Sequence, residues 1–152
     1  MAGDGEMNSD ENVEVKLPNS LAALARLHAV VGQFCRRRAI HPDTEFKIDL
    51  ALEEVFTNIV RYGYDDSHPH EIVIRLKSDR DRVRISIEDD GRHFNPLLAP
   101  EVDVNASAAE RRIGGLGIHL VRNLLDQVRY QRQPVGNRLI LIKRLGKEEK
   151  QI

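Results

Sequence analysis

The chain has 152 residues and a mass of 17.3 kDa, enough for one domain with a buried core and too little for two full ones. Charged residues make up 31% and the residues AVILMFWYC 41%, a globular balance that disordered chains do not reach. No run approaches the ~20 apolar residues of a membrane span, and MAGDGEMNSDEN lacks the basic and apolar regions of a signal peptide; the expected location is the cytoplasm, with no membrane partner. The formal net charge is −1. Residues 1–12 hold Asp4, Glu6, Asp10 and Glu11 without a cation, which leaves the rest slightly positive. That balance is too weak to argue for direct nucleic-acid binding, so any bound anion is expected to be small and local. Cys35 is alone, which excludes an intramolecular disulfide, and no Cys/His cluster has zinc-ligand spacing.

Residues 1–12 read as a flexible acidic tail, followed by a short strand at Val13–Leu17. Asn19 or Ser20 can cap a first helix, in which Leu21, Leu24, Leu27, Val30, Val31 and Phe34 recur at helical spacing. Arg36, Arg37 and Arg38 fall in its last turn, where cations complement the helix end. A second helix opens near Pro42 and Asp43 and runs to Tyr62, with Ile48, Leu52, Val55, Phe56 and Ile59 as its apolar stripe; Gly63 is placed to end it. Alternation over Ile72, Ile74 and Leu76, then over Val83, Ile85 and Ile87, predicts two antiparallel neighbouring strands joined by a turn at Ser78–Arg82. His68 and His70 read as surface residues of the preceding turn.

From Arg92 to Ile113 no periodicity is visible, and a loop of that length is usually functional. It ends at Gly114, Gly115 and Gly117. Ile118, Val121, Leu124, Leu125 and Val128 then predict a third helix, and Leu139–Lys143 a last strand. Irregular alternation with hairpin signals points to an α+β sandwich and not to a doubly wound parallel sheet.

Three constellations carry chemistry. Glu54 and Asn58, four apart in LEEVFTNIVRYGY, share one helical face. Asn offers a neutral oxygen to a hard Mg²⁺ shell and Glu can act as a base, although both side chains can equally face water. Asp89 and Gly91 in IEDDGRHFNP end a strand. A carboxylate there can accept from an exocyclic amine such as adenine's, and Gly lets a flat ring approach the backbone; the alternative is an ordinary acidic turn. RRIGGLGIHLVRNLL feeds a Gly-rich turn into a helix, whose free amides make an anion site. Arg111 and Arg112 flank it, and a simple hinge is the other reading.

In this order, the three constellations make the chain resemble the GHKL (Bergerat-fold) ATPases, and the short anti-sigma-factor serine kinases in particular, over about residues 13–145. The resemblance implies an N box in EEVFTN, with Asn58 on Mg²⁺ and Glu54 as catalytic base. It implies an adenine box D-x-G-x-x-F-(D/N)-P at Asp89, Gly91, Phe94, Asn95 and Pro96. It further implies a second glycine box at Gly114, Gly115, Leu116, Gly117 and Ile118, with Arg112 beside the phosphates and 97–113 as a lid. The implied fold is a two-layer sandwich over residues 13–147: a mixed, mostly antiparallel sheet of four or five strands with helices on one face.

The cofactors implied are ATP and Mg²⁺. Sensor histidine kinases need a separate phospho-accepting helix pair, and the topoisomerase, chaperone and mismatch-repair ATPases act within much longer chains. The expected activity is therefore a serine/threonine kinase that phosphorylates a STAS-type anti-sigma antagonist and binds a sigma factor. A homodimer through the sheet or first helix is compatible with this. The alternatives are a nucleotide-dependent binding switch without significant phosphoryl transfer, and a simple ATPase.

Overall fold

A computed structural model of the chain describes residues 12–98 and 115–146. The expected tail, the middle of the lid with Glu101, Asp103 and Glu110, and Arg111, Arg112 and Gly114 lie outside the described residues. Strand β1 covers Asn12–Pro18. Ser20 accepts from the backbone of Ala22 at 3.2 Å and opens a single 3₁₀ turn at Leu21–Ala23, which leads into α1, Leu24–Arg37. Helix α2 is Pro42–Tyr62, with Pro in the first turn and the His41 ring accepting from the Asp43 N–H. Between the helices Ala39 stands at φ 53°, a left-handed conformation that glycine adopts at lower cost.

Strands β2, Glu71–Ser78, and β3, Arg82–Asp89, form the expected hairpin. Helix α3 is Gly115–Leu124. It stops earlier than the apolar spacing predicts. Leu125 lies beyond its end, and Val128 belongs to β4, Gln127–Arg132, which pairs with β5, Asn137–Arg144. Val128 faces Leu141 across that pair, so a spacing that suits a helix is used on the inner face of an edge strand.

The sheet order is β1-β2-β3-β5-β4, and each of its four pairings is antiparallel. One inner row runs Val15, Ile74, Ile87, Leu139, Tyr130; the next runs Val13, Leu76, Ile85, Leu141, Val128. The helices cover this face, with Leu27 and Val31 from α1, Ile48, Leu52 and Phe56 from α2, and Ile118 and Val121 from α3 in the core. Cys35 is buried there as well, and burial, with the charges of Glu45 and Asp49, pushes its thiol up to about 12, so it is not a nucleophile.

The outer face of the sheet gathers cations that the weak overall charge balance does not reveal. Alternation sends Lys16, Arg75, Lys77, Arg84, Arg129 and Arg138 to it, with Glu14, Glu71 and Glu88 as its carboxylates. Composition gave no sign of this, because the acidic residues that balance these cations lie elsewhere in the chain.

Two substitutions test the packing with opposite signs. Phe56 is fully buried, and Phe56→Ala is expected to lower unfolding free energy by about 3–5 kcal/mol in urea titrations. Ala39→Gly is expected to raise it by about 0.5–1 kcal/mol, because left-handed strain is relieved at some cost in unfolded-chain entropy.

Candidate functional site

The C-terminal half of α2, the start of α3 and the ends of β3 and β5 enclose a cavity of about 390 Å³, within the range of small-molecule sites. Its walls are apolar: Val55 and Ile59 from α2, Ile118 and Val121 from α3, Ile87 and Leu139 from the sheet. Its polar lining comes from Asn58 on α2, from Asp89 and Asn137 on β3 and β5, and from Arg92 and His93 after β3, with Phe94 beside them. Phe94 is half exposed, at 49%, and Pro96 opens a 3₁₀ turn, Pro96–Leu98.

Asp89 is buried, and burial pushes its carboxyl above the usual range, against the lowering effect of hydrogen bonds from Asn137 and the Gly91 N–H. Both bonds fall on Oδ1, from Gly91 N at 2.9 Å and Asn137 Nδ2 at 3.0 Å. Among the described residues no donor reaches Oδ2, which leaves that oxygen to accept from a ligand.

Gly91 is required by packing: a Cβ there would run into the carbonyl oxygen of Gly63. The same carbonyl accepts from Arg92 N at 2.9 Å, and Arg92 Nε donates to Tyr62 O at 2.9 Å. The Asp-x-Gly turn is thereby seated on the C-terminal end of α2, the helix that carries Glu54 and Asn58.

Gly117 joins the third constellation to the first. A Cβ added there would lie 2.9 Å from both Glu54 Oε2 and Asn58 Nδ2, so the helix start with its free amides sits against both side chains. Gly115 and Leu116 open the same helix. Among the described residues no group of three His, Cys, Asp or Glu side chains can hold a metal alone. The Asn58 amide oxygen suits an ion that takes few protein ligands and completes its shell with phosphate and water, as Mg²⁺ does.

Several participants were not read from the sequence. Asn137 and Tyr130 carried no motif; only the strand register brings Asn137 opposite Asp89. His70 is not a free surface histidine. Its side chain is 17% exposed, its ring stacks on Tyr64 at 4.3 Å, and it bridges Asp66 at 2.8 Å and Asp90 at 3.1 Å. This latch ties the 64–70 loop to the Asp-x-Gly turn.

An apolar cavity with Asp89 and Asn137 in its lining, beside a helix start that packs on Glu54 and Asn58, suits a nucleotide. Comparison with known proteins agrees. Residues 17–143 match the histidine kinase-like ATPase domain family. The serine/threonine-protein kinase BtrW of Bordetella bronchiseptica is 30% identical over 96 residues, 63% of this chain and 68% of that protein. The serine-protein kinase RsbW of Bacillus mycoides is 26% identical over 147 residues, 94% and 91% of the two chains. A crystal structure of the RsbU and RsbW domains of a Mycobacterium tuberculosis protein matches with a TM-score of 0.65 at 18% identity, covering 89% of this chain and 32% of that longer one. The chain belongs to the histidine kinase-like ATPase family and, within it, to the group of serine/threonine-protein kinases that includes RsbW and BtrW.

Two expected outcomes follow from the local electrostatics. Asp89→Asn removes a charge that burial disfavours, so thermal melts at neutral pH should show the variant at least as stable as wild type, while calorimetry shows ATP binding weakened by about tenfold or more. His70 is held above its ordinary value by its hydrogen bonds to Asp66 and Asp90. Its stabilising effect is full below the unfolded histidine pKa and fades as pH rises through the raised one. The stability difference between wild type and His70→Gln should shrink across that upward titration; a difference that grows with pH would contradict the latch.

Proposed function

We propose that this chain transfers the terminal phosphoryl group of ATP to a serine or threonine of a protein partner, a STAS-type anti-sigma antagonist, and also holds a sigma factor. The observation that carries the reading is the convergence of Glu54 and Asn58 on Gly117, beside a cavity lined by both Asn58 and Asp89. With the base against Asp89, the phosphates of a nucleotide run toward the α3 amides. The Mg²⁺ ion that accompanies ATP would be held by Asn58, and it supplies charge neutralisation across the phosphates.

Glu54 is placed to take the proton of the attacking hydroxyl. The hydroxyl oxygen bonds to the terminal phosphorus, the bond to the bridging oxygen breaks, and ADP leaves with that oxygen. Backbone amides from Gly115 to Gly117 stabilise charge on the transferred group without reorganisation, a contribution preorganised donors make best. Arg112, three residues before Gly115 in the chain, is assigned the role of adding positive charge to this group. Among the described residues no helix is long and apolar enough to cross a membrane, and we place the activity in the cytoplasm, where sigma factors act.

Glu54→Gln keeps the side-chain shape and removes the base. It is expected to bind ATP within about threefold of wild type and to lose at least about a hundredfold in transfer to the partner, followed by phosphoprotein mass spectrometry. Undiminished transfer would remove Glu54 from the role. ATP turnover that is fast without any partner would favour a simple ATPase.

A further inference from the structure

The nucleotide reading leaves Asn137 and Tyr130 without a part. Asn137 is 9% exposed, and its amide is saturated. Nδ2 donates to Asp89 Oδ1 at 3.0 Å and to the Arg92 carbonyl at 2.9 Å. Its Oδ1 accepts from Phe94 N at 3.0 Å and from the Tyr130 hydroxyl at 2.5 Å. A primary amide has two donor hydrogens and two acceptor lone pairs, so all four are used. Turning the amide over would set its NH₂ against the Phe94 N–H and its oxygen against the Arg92 carbonyl and the Asp89 carboxylate, so these three groups fix one orientation, and in it the Tyr130 hydroxyl donates to Oδ1.

We propose that Asn137, braced by Tyr130, is a positioning residue for base selectivity: it pins Asp89 through Oδ1, so that Oδ2 presents only an acceptor and selects a 6-amino purine over a 6-oxo purine. This rests on the reading that Asp89 receives the base. With Asn137 absent, Asp89 keeps one donor, is free to rotate, and takes up a proton more readily at a buried site. Protonated, it donates, and a 6-oxo base becomes acceptable. The same amide holds the Arg92–Phe94 rim, so slot and acceptor are set together.

ATP and ITP differ at this edge alone, the 6-amino donor and N1 acceptor of one becoming a 6-oxo acceptor and N1–H donor in the other, and calorimetric titration of both nucleotides against wild type, Tyr130→Phe, Asn137→Leu and Asp89→Asn separates the possibilities. Wild type is expected to favour ATP by at least about tenfold. Tyr130→Phe and Asn137→Leu should each narrow the ITP-to-ATP ratio by about threefold or more, and Asp89→Asn should reverse it. Should Asn137→Leu fail to fold, Tyr130→Phe, which deletes one oxygen, carries the test alone. If both variants weaken the two nucleotides equally and leave the ratio unchanged, Asn137 is structural only and the proposal is wrong. If Asp89→Asn also leaves the ratio unchanged, the base does not meet Asp89 and the underlying reading fails instead.

The outer face of the sheet carries an independent feature. Arg75 bridges Glu14 at 2.7 Å and Glu88 at 3.1 Å, and Arg138 pairs with Glu88 at 2.6 Å. Those two carboxylates are thus engaged, whereas among the described residues Lys16, Lys77, Arg84 and Arg129 have no carboxylate within 4.0 Å. A groove of about 370 Å³ crosses β1 to β3 between Lys77, Arg84 and Arg75. No aromatic side chain stands on this face among the described residues, so it offers bases no stacking platform.

We infer that this face docks an acidic segment of a protein partner. A fluorescein-labelled oligoglutamate peptide, titrated at low salt, should bind wild type, weaken as salt rises, and lose about tenfold or more with Lys77→Glu/Arg84→Glu, while ATP affinity is unchanged. Equal binding to both proteins would overturn the inference. So would tighter binding of an oligothymidylate through the same two residues, which would make the face a nucleic-acid surface.

Discussion

The antiparallel register of β3 against β5 governs the arrangement of both the core and the cavity. It sets Ile85 opposite Leu141 and Ile87 opposite Leu139 in the centre of the sheet, and it sets Asp89 opposite Asn137 at its end. Because side chains alternate along a strand, a slip of one residue would turn every one of these to the other face. The apolar rows therefore specify the register through burial, and the polar pair at the end inherits its position from them. Helices α1 and α2 can cover the sheet only because that face is continuously apolar over β1, β2, β3 and β5.

The cavity lies where this cover is incomplete. Helix α2 continues past the core to Tyr62 and Gly63, and its end is held by the turn after β3, through Arg92 N on the Gly63 carbonyl and Arg92 Nε on the Tyr62 carbonyl. One element therefore carries Glu54 and Asn58 toward α3 and also anchors the Asp89 turn. Two glycines make the approach possible, Gly91 against the end of α2 and Gly117 against the two polar side chains of the same helix. Asp89 bears an unfavourable burial that two donors on Oδ1 offset only in part. A buried carboxylate of this kind is better explained by a ligand than by stability.

Much of this was legible in the sequence where one residue type answers one local need. Pro42 and Gly63 mark the bounds of α2, and the alternation around Ile74 and Ile85 gives a hairpin. Glu54, Asn58, Asp89, Gly91 and Gly117 were visible as types at spacings that chemistry uses. What escaped depends on partners distant in sequence. Val128 sits at a spacing that continues α3, but pairing with Leu141 draws it into β4. Asn137 precedes the last predicted strand and carries no signal until the register brings it to Asp89, and His70 reads as a surface histidine until Tyr64, Asp66 and Asp90 surround it. The basic outer face was hidden by counting charge over the whole chain, since alternation, not composition, assigns a charge to a face.

If residues from α2, the β3 turn, the start of α3 and β5 form a single ATP site, they must respond to nucleotide together. Backbone amide shifts of the ¹⁵N-labelled chain, followed during titration with a non-hydrolysable ATP analogue and Mg²⁺, test it directly. Asn58, Gly91, Gly117 and Asn137 are expected to shift together along one saturation curve, with the outer-face residues Arg75 and Arg84 unmoved. Saturable shifts confined to the outer face, with Gly91 and Gly117 unchanged, would contradict it.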